Sequence, residues 1–169
     1  SSMSVAGWLL MSRMGAYPEL KDGDKVAVEK HLLDIFDEKV GGWKSGSRLD
    51  IEYTAYAIMA LADVYEDSTN QNHEAAVQKI DKAIATLKTN YTKTTDLEDR
   101  CYIAMALMAL GEDPETVKVN ETGLISSFVP NLLADRTGFT ESVTQVKYSK
   151  NFTPTVILTL QMYQEFKAN

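Results

Sequence analysis

Nine consecutive residues from Tyr102 to Leu110, Y-I-A-M-A-L-M-A-L, carry no polar group beyond one phenol hydroxyl. Their flanks are those of a helix. Thr95 can cap the first turn, and Glu98 three residues on can reach back to complete a capping box. Gly111 can take the left-handed C-terminal turn, and Pro114 forbids continuation. A helix with no wet face has to be covered on all sides. The chain is therefore expected to arrange its other elements around this segment.

The same text occurs earlier in the chain. Sliding by 46 residues sets Asp96 on Asp50, Glu98 on Glu52, Tyr102 on Tyr56, Met105 on Met59, Ala106 on Ala60 and Leu107 on Leu61. Fainter copies lie at Gly7 to Gly15 and at Asn151 to Phe166, so apolar helices recur roughly every 50 residues, the signature of a stacked helical repeat.

The spacing predicts apolar helices near residues 3–14, 50–65, 96–110 and 152–166. Amphipathic helices alternate with them. The second opens at Asp22 and ends at Gly41-Gly42, with Val28, Leu32, Leu33, Ile35 and Phe36 inward and Glu29, Lys30, Asp34 and Asp37 on its wet face. The fourth, near His73 to Tyr91, sets Val77, Ile80, Ile84, Leu87 and Tyr91 on one stripe and Lys79, Asp81, Lys82 and Lys88 opposite. A sixth is expected over Leu124 to Leu133, with Pro130 bending it or ending it early. Residues 43–47 read as a loop, and 136–150, without helical period, as a long loop or small hairpin. This pattern predicts an all-α protein of about seven helices in two layers, the inner apolar and the outer amphipathic, whose inner ends line a concave floor.

Composition narrows the functions open to such a chain. With 169 residues and 44% hydrophobic content it can bury one sizeable core, and a single domain spanning 1–169 is expected. A net charge of -7 disfavours nucleic acid and anionic membrane as partners. The apolar runs are far short of a membrane span, so no membrane insertion is expected. Ser1 to Ala6 lacks the basic start of a signal peptide. Cys101 is the single cysteine, at the head of the apolar run, where a lone thiol reads as a small core residue.

The repeated M-A-L text at 59–61, 105–107 and 108–110, the A-L-G-E-D-P ending at 109–114, the repeat period and the inner/outer alternation resemble the α/α-toroid superfamily. That superfamily includes the terpenoid cyclases, the protein prenyltransferase β subunits, the thioester domains of complement-type proteins and the transcobalamin-type carriers. Within it the segments 98–114 and 122–133 look most like the prenyltransferase-like repeats of Gram-positive surface proteins. The resemblance implies a partial toroid or crescent, or a piece of a longer protein with further domains, and an extracellular or cell-surface bacterial location.

Chemistries of that superfamily can be tested position by position. Asp96-Leu97-Glu98-Asp99 stands where class II terpene cyclases carry D-x-D-D, but Glu98 replaces the central aspartate. The bland alternative is a set of acids complementing a helix N-terminus. Asp99-Arg100-Cys101 is similar to the first zinc-binding pair of the prenyltransferases, yet the two histidines, His31 and His73, both precede it. Catalytic zinc takes three protein ligands and an open position. Cys101 also lacks the Gly-Cys-Gly-Glu-Gln context of a thioester. No cofactor, metal site or catalytic residue is therefore assigned. The expected function is a non-catalytic binding or scaffold module, with a partial or degenerate terpenoid cyclase or prenyltransferase-like enzyme as the alternative. In a toroid the inner helix heads gather at one mouth, which makes Asp50, Glu52, Tyr56, Asp96, Asp99, Arg100, Tyr102 and Thr153 the candidate ligand-binding residues, with the 136–150 loop entering the mouth. Their acidity favours a neutral or cationic partner: a small molecule, a glycan or a protein segment.

Overall fold

The computed structural model describes residues 2–13, 22–94, 96–131 and 153–169. Among them are six α-helices: α1 (Ser2–Arg13), α2 (Asp22–Asp34), α3 (Ile51–Glu66), α4 (His73–Tyr91), α5 (Leu97–Ala109) and α6 (Thr153–Ala168). Two short antiparallel hairpins accompany them, β1 (Lys44–Ser45) with β2 (Arg48–Leu49), and β3 (Lys118–Val119) with β4 (Thr122–Gly123). The expected stop at Gly15, the capping role of Thr95 and the loop at 136–150 lie outside the described residues. The chain divides into two compact units, Ser1–Leu87 and Lys88–Asn169.

In the first unit α1 packs against α2 and α3. Ala6 and Leu9 of α1 are fully buried, and α3 carries a nearly continuous buried run that includes Ala55, Ala57, Ile58, Ala60 and Leu61. Helix α2 stops at Asp34, well short of Gly41-Gly42. The Asp37 carboxylate accepts from Lys39 N at 3.0 Å and Val40 N at 2.9 Å, a local bond set that competes with helix continuation. Gly41 then takes φ +73°, and Asp37 bridges back to Gly42. Two of the carbonyls at the end of α2 receive donors from elsewhere in the unit. The indole N–H of Trp43 donates to Leu32 O at 2.8 Å, and the Lys79 ammonium on α4 donates to Leu33 O at 2.8 Å.

Trp43 is fully buried and stands edge-on to Phe36 with ring centroids 5.2 Å apart. The Thr54 hydroxyl accepts from Trp43 N at 3.0 Å and donates to Trp43 O at 3.1 Å, which ties the β1–β2 hairpin to α3. Segment 43–47, expected as a loop, thus holds a core anchor and a strand. Glu29 departs from the expected wet face: it is buried and accepts from Asn70 Nδ2 at 3.3 Å. Lys79 is likewise drawn inward by its bond to the end of α2.

In the second unit every residue of α5 from Arg100 to Met108 is buried, as the apolar run demands. Helix α5 packs against α6, with Leu97, Cys101, Phe128 and Val156 at the centre of the contact and Ile125 and Leu160 around it. The expected helix over Leu124 to Leu133 is a correction: Ser126–Asn131 forms a 3-10 segment, and Leu132 and Leu133 lie outside the described residues. Pro130 has no N–H to give and its ring opposes the α conformation of Val129, so an α-helix does not propagate there. Complete burial also fails for the outermost members of the expected inner layer. Ile157 and Leu158 of α6 are about half exposed, as is Met11 of α1. Among the described side chains of α6 only Val156 and Thr159 are buried, because α5 covers one side of it.

Candidate functional site

The candidate residues fall at the heads of three helices. In the first unit Asp50 is the N-cap of α3, extended at φ -104°, ψ 112°, and its carboxylate accepts from Tyr53 N at 2.9 Å. Glu52 sits in the first turn, where its charge complements the helix N-terminus, and Tyr56 one turn on is half-buried.

In the second unit Asp96 is the N-cap of α5 and accepts from Glu98 N at 2.9 Å and Asp99 N at 3.4 Å. Glu98 is occupied as well, since the Tyr102 hydroxyl donates to its carboxylate at 2.8 Å. Asp99 lies half-buried in the same turn. Arg100 is buried and turned along the protein rather than outward: Nη1 donates to Ser127 O at 2.9 Å and Nε to Asp96 O at 3.4 Å. Burial pulls its pKa below the ordinary arginine value, opposed by the electrostatic influence of Tyr91, Cys101 and Asp96. Arg100 therefore ties the head of α5 to the 3-10 segment. Thr153 is the first residue of α6; its side chain lies outside the described ones.

Cys101 has no exposed surface, and burial pushes its thiol up to about 12 against the opposing influence of the Thr159 hydroxyl. A metal ligand or nucleophile acts as the thiolate, and this environment suppresses it. Among the described residues no group of three or more His, Cys, Asp or Glu side chains is placed to hold a metal ion, and no helix is long and apolar enough to cross a membrane.

One feature of the first unit is not among the helix heads that periodicity singles out. The turn between α3 and α4 and the first turns of α4 form an open pocket of about 580 Å³, lined by Ser68, Asn70, Gln71, His73, Glu74, Val77 and Gln78. The density of side chains with hydrogen-bonding groups in S-T-N-Q-N-H-E (68–74) is the signal in the sequence that marks it. No family model, curated protein or solved structure is found to match the chain.

Proposed function

We propose that this chain is a non-catalytic binding or scaffold module made of α/α-toroid-type helical repeats, belonging to a secreted or surface-attached bacterial protein. The observation that carries the non-catalytic reading is the engagement of the side chains at the head of α5. Asp96 is bonded to backbone N–H groups, Glu98 to Tyr102 and Arg100 to the Ser127 carbonyl, while the Cys101 thiol is sealed in apolar surroundings. A proton-donating acid needs a pKa near its working pH and access to substrate, and a zinc site needs an accessible thiolate. A helix head whose polar groups are engaged with its own backbone and neighbours is better suited to holding shape than to turnover.

The toroid arrangement rests on the resemblance of the repeated text and on the equivalent caps of α3 and α5. On this reading a neutral or cationic ligand meets the carboxylates at a helix head. The test is twofold. Purified chain is incubated with isoprenoid diphosphates, and turnover that disappears in Glu98→Gln or Asp99→Asn would establish the enzymatic alternative instead. A ligand found by screening should then lose binding when Asp50, Asp96 and Asp99 are all replaced by Asn. Asparagine caps helices as well as aspartate does, so the fold survives the change.

A further inference from the structure

The pocket at the start of α4 has a lining whose chemistry selects among ligands. Its volume of about 580 Å³ lies within the range of small-molecule sites. No lysine or arginine and no phenyl, phenol or indole ring contributes to it. Glu74 is the one carboxylate. An anion would meet that charge with no lysine or arginine to offset it, and a flat heteroaromatic ring would find no large aromatic face to stack on. The side chains of Gln71 and Gln78 each bring a donor and an acceptor, Ser68 brings a hydroxyl, and Val77 supplies an apolar patch.

The frame of the pocket is held by internal bonds. Asn70 donates to the buried Glu29 carboxylate at 3.3 Å and accepts from Asn72 N at 2.8 Å. Asn72 Nδ2 in turn donates to Val26 O of α2 at 3.1 Å. His73 Nδ1 lies 2.9 Å from Val64 O at the end of α3. A carbonyl only accepts, so Nδ1 carries the proton, and in the neutral ring Nε2 is the acceptor. The turn is thus fixed before any ligand arrives, which lowers the entropic cost of binding. A set of groups that both donate and accept, arranged around one apolar patch, matches a molecule whose groups also do both.

We propose that this pocket binds a neutral, hydroxyl-rich ligand of the saccharide class, recognised by Gln71, Glu74 and Gln78 on a frame set by Asn70 and His73. The site stands on the geometry of the first unit and does not depend on the toroid reading.

The test uses the full chain, fluorescently labelled, on an array of neutral and acidic glycans, followed by 1H–15N NMR titration with the best neutral binder. Saturable shifts are expected at residues 68–78. Gln71→Ala and Gln78→Ala replace exposed side chains and should leave the melting temperature unchanged. Together they should weaken binding about tenfold or more, as expected for lost hydrogen bonds. Absence of neutral-glycan binding overturns the proposal, as does a preference for acidic glycans. Full affinity in the double variant, or shifts confined to other residues, also overturns it.

Discussion

Asp50 and Asp96, 46 positions apart, are equivalent helix caps. Each stands in extended backbone just before an apolar helix and turns its carboxylate onto that helix's first N–H groups. Asp50 bonds the third helical residue, Tyr53, and Asp96 bonds the second and third, Glu98 and Asp99. The repeat seen in the text is therefore a repeat of local structure, with Asp96 as the cap of α5.

Replacing either capping residue by Ala should cost about 1 kcal/mol, within the usual span of roughly 0.5–2 kcal/mol, while Asn should be nearly neutral. Urea unfolding midpoints of Asp50→Ala, Asp96→Ala and the two Asn variants check this. Equal losses for Ala and Asn would mean that charge, rather than the hydrogen bond, is what matters.

Gly123 ends the second hairpin against Glu115, whose carboxylate accepts from Ser126 N at 2.8 Å and from the Ser126 hydroxyl at 2.6 Å. A Cβ added at Gly123 would come within 2.7 Å of the Glu115 carbonyl oxygen, which is backbone and cannot step aside. Gly123→Ala should therefore destabilise by about 1–3 kcal/mol, read as a drop in melting temperature. An unchanged value would show that the hairpin shifts freely.

Cys101 should resist thiol reagents in the folded protein. With its pKa pushed up to about 12 and no exposed surface, the thiolate is scarce at neutral pH and the sulfur is out of reach. A disulfide-exchange reagent at mildly alkaline pH should label it at the rate of unfolding, and immediately in denaturant. Fast labelling of the native chain would contradict the packing of α5 on α6.

Acid should weaken the turn that ends α2. Asp37 is held below its ordinary value of 3.8, first by the Lys44 ammonium at 2.8 Å and then by the Val40 N–H. A carboxylate depressed in the folded state stabilises at pH above its unfolded value and loses that contribution as pH falls through the folded one. The melting temperature should thus fall below pH about 4, and Asp37→Asn, which keeps an acceptor for the turn, should flatten that limb. An identical acid limb in the variant would assign the effect elsewhere. Asp113 adds to the same limb. Desolvation is the largest influence on it and pushes it up, but bonds from Glu115 N, Lys167 and Tyr163 outweigh this and hold it low.

That α3, α4 and α5 are helical, and that α5 has no wet face, followed from the amino-acid order alone, because both depend on local periodicity. The burial of α5 from Tyr102 to Met108 was readable as an unbroken apolar run, and the heads of α3 and α5 were readable as acids before it. Contacts between distant segments decided what periodicity cannot encode. At the end of α2, beyond the local turn made by Asp37, Trp43 and Lys79 supply donors to Leu32 O and Leu33 O from farther along the chain. The same distance hid the role of Glu29, whose burial is matched by Asn70, 41 residues away. Arg100 reads as a surface cation among the helix-head residues, yet a carbonyl 27 residues on holds it inside. Ile157 and Leu158 read as core, yet α5 reaches one side of α6, and a helix buries only the face that finds a neighbour.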